Sequence, residues 1–164
     1  MKNYLKKIVK KVFNKFKNHK HQKSIRHREK VNRFLINSKQ TDYDRWKKNN
    51  ELHNDWNDRT TILANYISSS SKIIEFGAGN MFLKKYLKPK FYTPTDIVKR
   101  FDETVICDLN KAIKIDLKEY ETAIFSGVLE YVHDIDMVFK QLSENNLKQV
   151  VLSYCCSDIN KSSR

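Results

Sequence analysis

The stretch Lys72-Ile73-Ile74-Glu75-Phe76-Gly77-Ala78-Gly79-Asn80 limits the possible folds more than any other part of this 164-residue chain. An apolar run that ends in an acid and passes into two alternating glycines predicts a buried parallel strand, a tight turn and the start of a helix. Glycine permits positive φ and lets a ligand approach with no Cβ in the way. A helix start presents free N–H groups at its positive end. Taken alone, the stretch fits equally a strand-turn-helix link that holds no ligand.

Further strand candidates follow in order. Residues Met81 to Leu87 read as a short helix with Phe82, Leu83, Tyr86 and Leu87 apolar. Phe91 to Ile97 reads as a second strand, which Pro94 predicts to be short or irregular, because proline donates no ladder hydrogen bond. Asp96 stands 19 residues after Gly77, the spacing at which nucleotide-binding α/β folds place a carboxylate that takes both ribose hydroxyls. A helix N-cap is the other role open to it. Thr104 to Asn110 is a third strand ending in an acid, Asp108. Thr122 to Ser126 is a fourth, leading into Gly127-Val128-Leu129-Glu130-Tyr131-Val132-His133-Asp134. Asp134 caps a helix with Ile135, Val138, Phe139 and Leu142 on one stripe, and Gln149 to Tyr154 is the fifth strand. Alternating strands and helices imply an α/β fold with a parallel sheet, which binds ligands at the carboxyl ends of its strands.

The acid-x-Gly-x-Gly turn resembles the first motif of class I S-adenosylmethionine-dependent methyltransferases, and the run from Gly127 to Asp134 resembles the fourth-motif region of the same family. The resemblance covers roughly Asp42 to Tyr154 and is strongest from Ile73 to Asp134. The third glycine of the fuller pattern falls on Met81. A dinucleotide-dependent dehydrogenase is the nearest rival, but its Gly-x-Gly-x-x-Gly turn would need glycine where Phe82 stands. The resemblance implies a Rossmann-like parallel sheet of about five strands with flanking helices, and S-adenosylmethionine as cofactor. It also implies that Glu75, Gly77, Ala78 and Gly79 lie under the methionine part. Asp96, with Ile97, would meet the ribose. Asp108 would accept from the adenine amino group, and the N–H of Leu109 would donate to a ring nitrogen.

Thr41 to Ser71 reads as helix in two phases, with Tyr43, Trp46, Leu52, Trp56, Ile62, Leu63, Tyr66 and Ile67 apolar. Tryptophans on such helices usually belong to the core. The order Trp46, Asn50, Trp56, Arg59 also resembles the helical segment that covers the cofactor in a group of bacterial methyltransferase-domain proteins, which implies ligand contacts for Asn50, Trp56 and Arg59. His133 is the one titratable candidate for a base near the fourth strand, unless it is a polar residue entering the next helix. Glu130 is either a cofactor-loop or a structural residue. The expected function is methyl transfer to an unidentified acceptor: a glycan, a lipid-linked molecule or a small molecule. The alternative is a non-catalytic remnant of the fold that binds a membrane surface or a partner. The family fold continues with a helix and two more strands, whereas this chain reaches Arg164 soon after the fifth strand. That leads us to expect a fragment, a truncated copy or a sheet completed by a partner.

The formal net charge of +13 is concentrated at one end. Residues 1–50 carry 17 Lys or Arg against 3 Asp or Glu, and the rest carry 15 against 16. The charge therefore describes an arm, residues 1–40, attached to a neutral domain, residues 41–164. Within the arm, Leu5, Ile8, Val9, Val12, Phe13 and Phe16 recur at the spacing of one helix face, among Lys6, Lys7, Lys10, Lys11, Lys15 and Lys17. Residues 1–17 so patterned suit an anionic membrane surface, or packing on the domain or on a partner chain. Nucleic acid is disfavoured, because the aromatics do not interleave with the lysines. His19, His21 and His27 have no Cys or carboxylate beside them and read as a solvated face; no metal site is expected. Three cysteines, Cys107, Cys155 and Cys156, show no metal spacing and imply a reduced, cytoplasmic protein, possible at the inner face of a membrane through its arm. No apolar run approaches the ~20 residues of a membrane span, and the charged N-terminus lacks a signal-peptide core.

Overall fold

A computed structural model describes residues 2–49, 52, 56–68, 72–87 and 91–155, although not the side chains of residues 2–14 and 16. Asn50, Cys156 and the polar stretch 157–164 lie outside the described residues.

Five parallel strands form one sheet in the order β3-β2-β1-β4-β5. They are β1 (Lys72–Phe76), β2 (Phe91–Asp96), β3 (Val105–Ile106), β4 (Thr122–Ser126) and β5 (Gln149–Ser153). The helices are α1 (Lys2–Asn37), α2 (Tyr43–Trp46), α3 (Asn57–Ala64) and α4 (Ile135–Ser143). This is the expected Rossmann-like α/β architecture with an N-terminal helix. Among the described residues, no helix is long and apolar enough to cross a membrane.

The central strands are covered on both faces, as parallel strands must be. Ile74, Phe76, Ala123 and Phe125 face α4 and the loop after β3, packing with Val138, Leu142, Leu117 and Tyr120. Ile73, Ile124 and Val151 face the other way, onto Leu63, Ile67, Leu83 and Leu87. The rings of Phe76 and Phe125 stack at 4.9 Å across neighbouring strands. Asp134 caps α4 as expected, accepting from the N–H of Met137 at 2.9 Å.

Several local expectations need correction. The helix after the glycine turn is a single 3₁₀ turn, Phe82–Lys85. The third strand pairs over two residues only, so Asp108 follows it rather than ending it. The helix expected in two phases from Thr41 to Ser71 is reduced, among the described residues, to the short α2 and α3, and Tyr43, Ile62 and Tyr66, assigned to its apolar positions, are exposed. Trp46 and Trp56 stand outside both core clusters, because α2 and α3 lie by the end of the sheet and turn them into the space there.

Pro94 does not shorten β2, which runs for six residues. The Thr95 carbonyl accepts from Ala78 beyond β1 at 2.9 Å, and the Asp96 carbonyl accepts from Cys107 beyond β3 at 2.9 Å. Backbone groups alternate sides along a strand, so the missing N–H of Pro94 points towards β3. That strand pairs only with Thr95 and Asp96, and no ladder bond is lost.

Candidate functional site

Strand order reverses between β1 and β4, whose connections leave the sheet in opposite directions. At such a point the carboxyl-end loops part and open a crevice. All three glycines of the chain lie there with left-handed backbones: Gly77 at φ 68°, Gly79 at 53° and Gly127 at 63°. Gly77 passes so close to β4's loop that a Cβ would sit 2.6 Å from Val128 Cγ2. Met81, on the third glycine of the motif pattern, also has a positive φ, 55°.

The crevice opens as a cleft with about 710 Å³ of space, part of it open to solvent. Gly77, Gly79, Asp96, Ile97, Asp108 and Leu109 line it, and Glu75 and Ala78 line an adjoining hollow that shares Gly77, Gly79 and Arg59. The eight residues expected to form a site thus converge from the ends of three strands.

Their hydrogen bonds define what each can still do. Asp96 Oδ2 accepts from the N–H of Gly79 at 2.9 Å, and Oδ1 accepts from the N–H of Val98 at 3.0 Å and from Arg100 Nη1 at 3.3 Å. No helix follows Asp96, so it is not an N-cap. A carboxylate offers about four acceptor positions, which leaves one on Oδ2. Asp108 Oδ1 accepts from the Thr41 hydroxyl at 2.5 Å and the N–H of Asn110 at 3.1 Å, while Oδ2 pairs with exposed Lys111 at 3.2 Å.

Glu75 is 2% exposed and accepts from the Tyr92 hydroxyl. Burial pushes its pKa up to about 7, against the lowering effect of that hydroxyl. Burial likewise pushes the free Cys107 thiol up to about 11, with Asp108 adding to the shift.

Arg59 reaches into the same space from α3. Its Nη2 donates to the Ser126 carbonyl at 3.3 Å and its Nε is buried with no partner. Among the described residues no carboxylate pairs with it. The guanidinium lies against Gly127, where a Cβ would come within 2.2 Å of Nη1. Trp46, Trp56 and Tyr131 wall the cleft; Trp46 meets Tyr131 edge-on at 4.6 Å and Trp56 at 6.4 Å. Asn50, expected nearby, lies outside the described residues.

Sequence reasoning missed two elements. Arg100 is almost buried and bridges Asp96 to the Trp46 carbonyl; its only sequence signal is its place four residues after Asp96. Asn110 joins three loops, donating to Thr41 Oγ1 at 2.8 Å and the Tyr131 carbonyl at 3.1 Å, and accepting from the N–H of His133 at 2.7 Å. The His133 ring does not line the cleft: its Nε2 lies 2.8 Å from the Gln40 carbonyl, in a second hollow under the end of α1 that shares Thr41, Trp46, Tyr131 and Val132 with the cleft. Glu130 accepts from the N–H of Cys155 at 2.9 Å and lines that second hollow. Among the described residues no group of His, Cys, Asp or Glu is placed to hold a metal ion.

Comparison with family models, with curated proteins and with solved structures finds no match to this chain.

Proposed function

We propose that the chain binds S-adenosylmethionine in the cleft at the β1/β4 switch point and is a methyltransferase. The observation that carries this reading is Arg59, a guanidinium with an orphaned Nε and no carboxylate partner among the described residues, set in the same cleft as two carboxylates. Arg59 is half-buried, with the Trp56 ring 5.9 Å from its guanidinium carbon and its Nε shut off from water; a ligand carboxylate would give that group charge-assisted hydrogen bonds. An amino-acid-bearing nucleoside has the right groups. Its carboxylate would go to Arg59, one ribose hydroxyl to Asp96 Oδ2 and its adenine amino group to Asp108. The left-handed turn at Gly77 and Gly79 admits the chain between them.

The remaining acceptor position on Asp96 allows one ribose hydroxyl; taking both would require Arg100 or Val98 to let go. When bound, the cofactor supplies an electrophilic methyl group for in-line transfer, in which orientation of the acceptor is the main gain. Trp46, Trp56 and Tyr131 would screen the cleft from water. With His133 turned to Gln40, this reading assigns no base.

The test compares S-adenosylhomocysteine with 5′-methylthioadenosine, which lacks the amino-acid end. Arg59→Met should weaken the first about tenfold to a hundredfold, the value of a charged hydrogen bond, and leave the second within about twofold. Equal losses for both ligands, or none for either, would remove Arg59 from the carboxylate and with it the basis of the reading.

A further inference from the structure

The amphipathic stretch at the N-terminus belongs to a single uninterrupted helix, α1, of 36 residues, Lys2–Asn37. At 1.5 Å per residue that is about 54 Å. Residues Lys17 to Ser24 are exposed without exception. Eight consecutive residues cover more than two turns, so every face of the helix is open there. Among the described side chains, Ile25, Arg28, Val31, Asn32 and Leu35 are half-buried, and Asn32, Leu35 and Ile36 line the hollow with Glu130 and His133. From Phe16 to Ile25, the first half-buried position after the fully exposed stretch, the helix rises about 14 Å. The backbone that carries Leu5, Ile8, Val9, Val12, Phe13 and Phe16 therefore continues the same helix beyond a stretch that is exposed on every face.

We propose that residues 2–17 dock on the surface of an anionic lipid bilayer. Successive residues turn by about 100° on a helix, which places the six apolar positions within an arc of about 140°. Lys6, Lys15 and Lys17 fall close beside that arc, and Lys7, Lys10 and Lys11 lie behind it. This is the arrangement of a helix lying in the headgroup region, with its apolar stripe towards the acyl chains and its ammonium groups among lipid phosphates. Charge selects this occupant over a second copy of the chain. Residues 1–17 hold seven lysines, and no acidic residue precedes Glu29, so a seam between two such helices would bring like charges together. Nucleic acid would use the lysines and leave the apolar stripe in water.

The test is co-sedimentation of the full chain with vesicles of phosphatidylcholine and phosphatidylglycerol in equal amounts, and with phosphatidylcholine alone. The chain should bind the mixed vesicles at least about tenfold more tightly, since each lysine near an anionic surface contributes roughly a fivefold gain. The double variant Val9→Gln, Phe13→Gln keeps every charge and should lose at least about tenfold through the lost apolar burial. Because both positions lie far from the sheet, its melting temperature should not change. Failure to bind mixed vesicles overturns the proposal, as does binding that the double variant leaves intact. RNA or duplex DNA that strips the chain from vesicles would reassign the helix to nucleic acid. Self-association of the free chain that the double variant abolishes would reassign it to a second copy.

Discussion

The guanidinium of Arg59 rests against the backbone of Gly127, close enough that a β-carbon at residue 127 would lie 2.2 Å from Nη1. Two residues 68 positions apart in sequence thus form one feature of the cleft. Gly127→Ala must push the arginine aside and hold alanine at φ 63°, which costs about 1–2 kcal/mol. We expect that loss in chemical denaturation, and S-adenosylhomocysteine binding weakened at least about tenfold. If Gly127 acts through Arg59, adding Gly127→Ala to Arg59→Met should weaken binding no further, a non-additivity that a double-mutant cycle measures.

The two glycines of the turn should differ. At Gly77 a Cβ would meet Val128 Cγ2 at 2.6 Å and Cβ at 2.8 Å, whereas at Gly79 the nearest atoms are Leu52 methyls at 3.5 and 3.7 Å. Both substitutions to alanine carry the cost of a positive φ, but Gly77→Ala adds overpacking, about 1–3 kcal/mol. Denaturation midpoints of the two variants test the ranking, and Val128→Ala should recover part of the Gly77→Ala loss.

Met81 bears a side chain at φ 55°, at the position where the glycine motif that this turn resembles has its third glycine. Met81→Gly relieves a cost of about 1–2 kcal/mol, partly offset by the greater freedom of glycine in the unfolded chain. The expected gain is about 0.5 kcal/mol, read as a higher denaturation midpoint. Lower stability would show that the methionine contacts outweigh the backbone strain.

Glu75 should make stability fall with rising pH. Its folded pKa, about 7, stands above the ordinary 4.5, so the folded chain holds the proton more tightly than the unfolded one. Its stabilising contribution is complete below about pH 4.5, declines through the interval and is lost above about pH 7. A shift of this size corresponds to on the order of 3 kcal/mol. Glu75→Gln should remove that part of the decline between pH 5 and pH 8. Tyr92→Phe should steepen it, because the hydroxyl that favours the carboxylate is gone.

The fold was legible in sequence where one local signal dominated. β1 and β4 centre on the apolar pair Ile73-Ile74 and the apolar triplet Ala123-Ile124-Phe125, and Asp134 followed by a helical stripe marks α4 within a residue. Pro94 misled because its effect depends on which neighbour its missing N–H faces, and that depends on where β3 starts. The segment from Thr41 to Ser71 misled because its apolar residues serve two surfaces, with Leu63 and Ile67 in the core and Trp46 and Trp56 on the cleft. The glycine turn could be located from its local pattern, Asp96 from its spacing to Gly77, and Asp108 from its place after the third strand. The clamp of Thr41 and Asn110 on Asp108, and the seat of Arg59 on Gly127, could not. They join residues distant in sequence, and no periodicity records such a contact.

The central claim is that this cleft receives an adenosylated amino acid. Calorimetric titration of the full chain with S-adenosylhomocysteine tests it most directly. We expect one-to-one binding in the micromolar range, weakened by Asp96→Ala as well as by Arg59→Met. A chain that melts cooperatively yet shows no such binding would contradict it.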